Sequence, residues 1–530
     1  MSSFSPPYTL SLTNSLTNEK SPFVPMEPPE VRLYVCGPTV YDHAHLGHAR
    51  CYLTWDVLVR FLTVLGYTVR YARNITDVDD KIINRARQAG CAHQQIAETY
   101  TQSFHEDMAA LNLLPPTDEP KATDHIQHIV DGTGALIESG HAYVTPSGTV
   151  YYRTSSKADY GKLSRKPLDD LKSGARVDED PEKESPLDFA LWKSMPEGDP
   201  DTWESPWGKG RPGWHMECSA MNAALFDSKL DIHAGGADLI FPHHENEIAQ
   251  SEAWSGHAPF STVWLHNGFV NVDGEKMSKS LGNFSTIKDV LTRYDANVLR
   301  YFLLAHHYRM PVNFSPDGLD GAKNRMVKIH RALSHGAEVL GLVSDVVAEI
   351  KPWSIGHDDG MVASFAQALS DDLNTPQALA VLDKSISDLN RVAHDQADNL
   401  PAVRKAFERA LSLFSMLGFR RDLMFVVDGL PDELLPALQA LAQEQNVELG
   451  EGENSSEAAL EVLIQARLDA KQSKNWGVAD GLRNGLTALG LQLQDGPDGT
   501  SWEYHPIEGK ADTAAAVAEA GQKEPSSVSL

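Results

Sequence analysis

The sequence predicts an α/β protein: a parallel sheet interrupted by an insertion, followed by helices and a small terminal unit. Three observations carry this. Strand, helix and strand follow one another early in the chain, the same alternation returns after a turn-rich stretch, and beyond residue 326 the apolar periodicity is helical throughout. A chain of 530 residues exceeds what one core organises. About three folded units are therefore expected.

"VRLYVCG" (31–37) is β-rich and ends in glycine, so it reads as the first strand. In the stretch that follows, Leu53, Val57, Leu58, Phe61, Leu62 and Leu65 recur at three- and four-residue steps until Gly66 stops the helix. "TVRYARNI" (68–75) is the second strand. Strand–helix–strand over so short a span implies a right-handed crossover between parallel neighbours. Residues 114–212 are turn-rich, with "LLPPTDEP" and "TPSGTVYYRT", and read as an insertion. The alternation then resumes: "LDIHAGGADLIF" is a strand with a glycine turn, "HHENEIAQSEAW" a helix, and "VWLHNGFVNVDG" a strand leading to a loop. The sheet is thus built in two halves within residues 31–325.

Residues 326–425 carry long amphipathic segments, consistent with a helical bundle. Residues 426–460 are expected to be an acidic linker region, 461–506 a small unit of two helices and a turn-rich end, and 507–530 a disordered Ala/Gly/Ser/Glu-rich tail. Residues 1–30 are expected to form a flexible extension.

Hydrophobic residues make up 42% and charged residues 22%, the balance of an ordinary globular protein. No apolar run reaches the length of about 18 residues that would suggest a membrane span. The Ser/Thr-rich start has no basic opening, apolar middle or small-residue cleavage pattern, so no secretory signal is read. Cys36, Cys51, Cys91 and Cys218 are too few for a disulfide framework, and the expected compartment is the cytosol. A net charge of −27 excludes a blanket phosphate-binding surface. A nucleic-acid partner would have to be held by local basic patches.

Three short stretches carry chemistry. In "FPHHENEIAQ" (241–250), a helix puts His243 and Glu247, four apart, on one face, and His244 elsewhere. Two ligands do not close a zinc site, which takes about four. Cys36 ends the first strand, where parallel sheets form ligand sites, and Cys218 lies in "GWHMECSAM". Cys36, Cys218, His243 and Glu247 are therefore a candidate metal set drawn from both halves of the sheet. The ten residues by themselves favour a solvated helix with surface histidines. In "GPTVYDHAHLGHAR" (37–50), His45 and His48 stand at a helix start, whose free N–H groups suit a phosphate. Gly47 allows a flat ligand close to the backbone. Alone, this motif is better read as capping histidines. In "DGEKMSKSLGN" (273–283), Lys276 and Lys279 sit in a glycine-bounded loop. They suit either a polyphosphate or plain solvent.

The order of the motifs carries a resemblance. HLGH after the first strand and KMSKS after the last resemble the HIGH and KMSKS signatures of class I aminoacyl-tRNA synthetases, with Leu46 in place of Ile. "YVCGPTVYD", "GRPGWHMECSAM", "FPHHENEIAQSE" and "EKMSKSLGN", in that order, resemble the cysteinyl-tRNA synthetase family, from residue 31 to 505.

This resemblance implies a Rossmann-type catalytic domain and a zinc ion that takes the thiolate of the substrate cysteine. The ligands carry over onto Cys36, Cys218, His243 and Glu247, with His244, Glu245 and Asn246 in supporting places. Zinc binds a soft thiolate well and a neutral hydroxyl poorly, so serine is refused without an editing domain. The implied reaction has two steps: Mg²⁺-bound ATP and L-cysteine give cysteinyl-adenylate and pyrophosphate, and the cysteinyl group passes to the 3′ end of tRNA-Cys. The resemblance assigns His45 and His48 to the ATP phosphates and Lys276 and Lys279 to departing pyrophosphate. It makes Gly235 and Gly236 of "GGADL" the adenosine turn, Asp238 a ribose or amine contact, and Trp214 and Thr39 substrate contacts. The bundle corresponds to the anticodon-stem domain and the last unit to the anticodon-loop module. There Arg467, Lys471, Lys474 and Arg483, with Trp476 and Trp502, offer charge and stacking, or are simply the surface of a helix pair. The expected partners are tRNA-Cys, L-cysteine and ATP, with no membrane. The rivals are a zinc-dependent cysteine ligase resembling the mycothiol-pathway enzyme, which lacks the last unit, and a non-catalytic synthetase-like binding protein.

Overall fold

The computed structural model describes residues 4–165, 180–272, 275–276, 285–342, 359–424, 430, 434–450, 455–496 and 499–504. The chain forms two compact units, residues 1–425 and 426–530.

The larger unit opens with a hairpin, β1 (Ser11–Asn14) and β2 (Glu19–Pro22). β3 (Glu30–Val35), α1 (Leu46–Val64) and β4 (Thr68–Arg73) then form a parallel crossover, paired from Glu30↔Thr68 to Val35↔Arg73. Leu53, Val57, Leu58, Phe61 and Leu62 of α1 are all buried, so the helix is a core element. Burial of each such side chain contributes about 1.5–3 kcal/mol. Next come α2 (Asp80–Ala89), α3 (His93–Ala110) and α4 (Ile126–Glu138). The insertion holds an antiparallel sheet in the order β5 (Ala142–Val144), β6 (Val150–Tyr152), β7 (Phe189–Ser194), β8 (Gly210–Pro212).

The main sheet resumes through α5 (Trp214–Phe226), β9 (Leu230–Gly236), α6 (Glu245–Ser255) and β10 (Ser261–Asn267). Its strand order is β10–β9–β3–β4, and every pair is parallel. β3 has β4 on one side and β9, from the second half, on the other. That is a topological switch point, where open α/β sheets bind ligands beyond the carboxyl ends of the strands.

A small sheet follows, with β11 (Val270–Val272) between β12 (Glu275–Lys276) and, beyond α7 (Ile287–Leu291) and α8 (Ala296–Leu304), β13 (Val312–Phe314). The rest of this unit is helical: α9 (Pro316–Val339), α10 (Gly360–Ser370), α11 (Thr375–Asp395) and α12 (Leu400–Met416). Buried Arg50 of α1 ties the sheet to this region, donating to the carbonyl oxygens of Leu303, His306 and His307 at the end of α8.

Two expectations need correction. Residues 11–22 are not a flexible extension. Leu10, Leu12 and Phe23 are buried, and the Asn14 side chain accepts from Trp264 N and donates to the Thr262 carbonyl, both at 3.0 Å. The Ser/Thr-rich composition reads as disorder because its few apolar residues find partners only in the folded unit. Nor is all of 426–460 a linker. In the smaller unit, α13 (Leu435–Glu444) buries Leu438 and Leu441 in one core with Leu463 of α14 (Ser456–Gln472) and Leu482 and Leu486 of α15 (Trp476–Ala488). The turn-rich end of this unit is a hairpin, β14 (Leu491–Gly496) and β15 (Gly499–Tyr504). The expected tail, 507–530, lies outside the described residues.

Candidate metal centre and nucleotide site

Beyond the end of β3, Cys36 leads into Gly37, whose N–H donates to Asn74 Oδ1 at 2.8 Å. A Cβ at residue 37 would stand 1.5 Å from the Asn74 carbonyl oxygen. Only glycine fits, because the two strand ends run together here. Gly37→Ala is expected to lower Tm and metal content together, since moving Asn74 or residue 37 moves Cys36; thermal unfolding and metal analysis of one preparation check this.

The four expected ligands converge. Cys36 Sγ lies 4.0 Å from Cys218 Sγ and 3.5 Å from Glu247 Oε1, and His243 Nε2 lies 3.0 Å from Glu247 Oε1. All are buried, and one ligand atom from each falls within 4.8 Å of the others. A tetrahedral zinc with ordinary Zn–S and Zn–N bonds needs donor atoms roughly 3.3–3.8 Å apart, so this set fits with small adjustments. Cys218 comes from α5, one helical turn past Trp214. The Trp214 ring stacks on His243 at 4.4 Å with 24° between planes, and its other parts remain open to solvent. His215 Nδ1 lies 2.9 Å from His243 Nδ1, which leaves Nε2 of His243 for the cluster.

The electrostatics suit a cation. The hydrogen bond with Cys36 brings the Cys218 thiol down, to about 6, against the effect of burial. Burial pushes Cys36 well up. Burial would also raise Glu247, but His233 and His243 outweigh it and hold the carboxyl well below its usual range.

The structure adds one residue that the sequence reading missed, His233, and brings in His244, which the resemblance gave a supporting place but helix spacing alone had set elsewhere. His244 does not point elsewhere: its Nε2 is 3.2 Å from Cys36 Sγ and 3.9 Å from Glu247 Oε1. The i,i+3 spacing to Glu247 shares a helix face as well as i,i+4 does. His233, on β9 beside Tyr34, places Nε2 2.9 Å from Glu247 Oε2. Cys36, His233, His244 and Glu247 thus form a second, overlapping donor set. A histidine inside the apolar strand "LDIHAGG", neighbouring the strand of Cys36, was the available signal.

On the nucleotide side, His45 is the N-cap of α1. Its Nδ1 accepts from the N–H groups of Gly47 and His48, while His48 Nδ1 accepts from the N–H of His45. The capping reading is therefore correct, and it is compatible with phosphate binding. A neutral imidazole whose Nδ1 accepts must carry its proton on Nε2, so both rings are set as Nε2–H donors. The rings stack at 3.8 Å. A Cβ on Gly47 would stand 2.8 Å from His45 Cε1, so glycine there also makes room for the His45 ring.

The KMSKS stretch is held at both flanks. β12, which contains Lys276, pairs with β11, while Ile287 N donates to the Ala44 carbonyl and Thr286 bridges His45. Lys279 and the rest of 277–284 lie outside the described residues. Gly235 is the last residue but one of β9, and a Cβ there would meet His244 Cε1 at 3.0 Å. Gly236 ends the strand, Asp238 follows in the next turn, and Thr39 bridges Thr76.

In the smaller unit, Trp476 is exposed at the start of α15. Arg467, however, is buried, so it is not the surface contact that the sequence suggested, while Trp502 is half-buried against the core. Arg467 lies four residues beyond Leu463, on the inner face of α14.

The comparisons with known proteins agree with this geometry. Residues 22–324 match the model of the tRNA synthetases class I (C) catalytic domain, and residues 364–419 the DALR domain. The chain is similar to the cysteine–tRNA ligases of Stutzerimonas stutzeri (46% identical) and Thioalkalivibrio sulfidiphilus (45%), in each case over 93% of this chain and 99% of the relative. Among solved structures, it resembles LeuRS in a ternary complex from Agrobacterium radiobacter K84, with TM-score 0.53 and 12% identity over 76% of this chain and 85% of that one, a likeness of fold alone. The identity, the coverage and the matched catalytic domain agree: the chain belongs to the cysteine–tRNA ligase family of class I aminoacyl-tRNA synthetases.

Proposed function

We propose that this ligase activates L-cysteine with Mg²⁺-bound ATP and passes the cysteinyl group to the 3′-terminal adenosine of tRNA-Cys through the residues described above. The observation that carries this reading is the convergence of Cys36, Cys218, His243 and Glu247 beyond the ends of β3 and β9. A zinc ion held there supplies a soft Lewis acid that accepts a thiolate and discriminates against the hydroxyl of serine. The first set is favoured over the overlapping one because it brings two sulfurs, where the other brings one.

The chain's own residues do the rest. Trp214, stacked on His243, screens the metal face and closes over the substrate side chain. Thr39 lines the approach beside Cys36. The Nε2–H groups of His45 and His48, with the start of α1, hold the ATP phosphates as charge builds on them. Gly235 and Gly236 let the adenosine approach the backbone, with Asp238 at its ribose or amine. Lys276 and Lys279 follow the departing pyrophosphate. No side chain acts as a nucleophile: the cysteine carboxylate attacks the α-phosphate, pyrophosphate leaves, and the ribose hydroxyl then displaces AMP. Positioning and charge carry the rate.

In the smaller unit, Lys471, Lys474, Arg483 and exposed Trp476 would meet the anticodon loop, while the helices of 326–425 meet the stem. We place the protein in the cytosol; no described helix is long and apolar enough to cross a membrane.

Purified protein is expected to charge tRNA-Cys with labelled cysteine and leave serine uncharged. Cysteine-dependent ATP–pyrophosphate exchange without charging would instead indicate another acceptor. Neither activity from folded, zinc-loaded protein would overturn the reading.

A further inference from the structure

The N-terminal hairpin reaches the metal centre. Ser15, at the turn after β1, donates its N–H to the Trp264 carbonyl of β10 at 2.8 Å. Asn14 clamps the same stretch through Trp264 N and Thr262 O. The Ser15 hydroxyl lies 2.8 Å from His266 Nδ1, His266 Nε2 lies 2.8 Å from His244 Nδ1, and His244 Nε2 lies 3.2 Å from Cys36 Sγ. Both imidazoles are buried. A continuous hydrogen-bonded chain thus runs from a half-buried hairpin hydroxyl to a proposed ligand sulfur.

The direction of this chain is constrained. As a ligand to a bound ion Cys36 is a thiolate, which can only accept, so in the metal-loaded protein His244 must carry its proton on Nε2. Its Nδ1 then accepts from His266 Nε2–H, and His266 Nδ1 accepts from the Ser15 O–H. In the opposite arrangement, His244 presents an Nε2 lone pair towards Cys36, which is what the second donor set requires. A hydroxyl can donate or accept, so Ser15 does not choose between the two; beside a ligand thiolate it donates, and in both it fixes where the His266 ring sits. Without it, His266 Nδ1 loses its partner.

We propose that Ser15 is a positioning residue of the metal centre: by anchoring His266, and through it His244, it holds the His244 Nε2–H on the Cys36 thiolate and steadies that ligand. This rests on the reading of Cys36, Cys218, His243 and Glu247 as ligands. It assigns the hairpin a part in holding a ligand sulfur, beyond packing.

The test uses the full chain as Ser15→Ala, Ser15→Thr and Thr13→Ala. The last loosens the hairpin at Asp372, to which Thr13 N and Oγ1 donate, and leaves the Ser15 hydroxyl in place. Zinc release to a chromogenic chelator is measured first, then the sulfur-to-metal charge-transfer absorbance of the cobalt-substituted protein. Ser15→Ala is expected to release zinc about 10-fold faster, the scale of losing an outer-sphere support. Its charge-transfer band should shift from that of the parent, as the Cys36 sulfur loses the hold of its hydrogen-bond donor while both sulfurs stay bound. Ser15→Thr, which keeps the hydroxyl, should match the parent protein in both, as should Thr13→Ala. Parent-like release and spectrum in Ser15→Ala would overturn the proposal, as would an equal effect of Thr13→Ala. A parent protein that retains no zinc would overturn the ligand reading itself, a result separate from these two.

Discussion

Cys218→Ser is expected to remove metal retention and cysteine activation together. The sulfur of Cys218 stands 4.0 Å from that of Cys36, across the space where an ion would sit, and its hydrogen bond with Cys36 lowers its pKa. Serine offers a neutral, harder oxygen that does not ionise there, so one strong soft donor is lost. What remains is Cys36 with the overlapping His233, His244 and Glu247 set, whose geometry differs. Loss of a supporting contact around a metal costs about 10–100-fold in affinity or activity; loss of a direct ligand should exceed that. Metal content by mass spectrometry and cysteine-dependent ATP–pyrophosphate exchange should therefore collapse in the same samples. Activation that survives with the metal gone would defeat this account of how cysteine is chosen.

The second large effect is structural. Arg300 of α8 is almost completely buried and ion-paired with Asp56 of α1. It also donates to the carbonyl oxygens of Leu417, at 2.5 Å, and Leu111, at 2.7 Å. One guanidinium thus joins the helix that begins with HLGH, the end of α3 and the end of α12. Gly418, at φ +76°, leaves room for it: a Cβ there would stand 1.9 Å from a guanidinium nitrogen. Arg300→Met should destabilise the larger unit by about 3 kcal/mol, because Asp56 is left buried with part of its compensation gone. The effect stays near the lower end of such losses because Asp56 keeps Arg60 and Leu114 N, each at 2.8 Å.

The pH dependence has a definite sign. Burial would raise Asp56, but Arg300 and Arg60 outweigh it and hold the carboxyl below its ordinary value. A depressed carboxylate contributes stability that is fully present above the unfolded value, about 3.9, and is lost as pH falls through the folded one. In the variant, protonation removes the uncompensated charge. The stability gap between the two proteins should therefore close on acidification through the carboxylate range. Denaturant unfolding at neutral pH and near pH 4 measures it. A gap below about 1 kcal/mol at neutral pH, as for an exposed pair, would mean that the buried pair is not the support argued here.

Much of the candidate site was legible in local order. Cys36 closes a readable strand, the helix after it shows its buried face through Leu53, Val57 and Phe61, and HLGH and KMSKS flank the alternation in sequence. These are short-range properties: side-chain period, glycine stops, and motifs whose members lie a few residues apart. The family resemblance then named the ligands that spacing had only nominated.

Other features depend on contacts between residues far apart in the chain. His233 and His244 enter the cluster because β9 lies beside β3 and the chain around the start of α6 brings His244 to Cys36 and Glu247 to His233; no window of sequence contains that pairing. The N-terminal segment has the composition of a loose extension, yet Thr13 meets Asp372 and Ser15 meets His266. Arg467 and Trp476 carry similar promise for nucleic acid on paper, but the side of its helix that each occupies buries one and exposes the other. What the sequence determined alone was the order of strands and helices, the α/β class and the residue types available for zinc and phosphate chemistry, because periodicity and short motifs are written locally. The tertiary structure alone decided which buried imidazoles face the sulfurs and which hydroxyl steadies them, because direction and distance between side chains arise only when separate segments pack together.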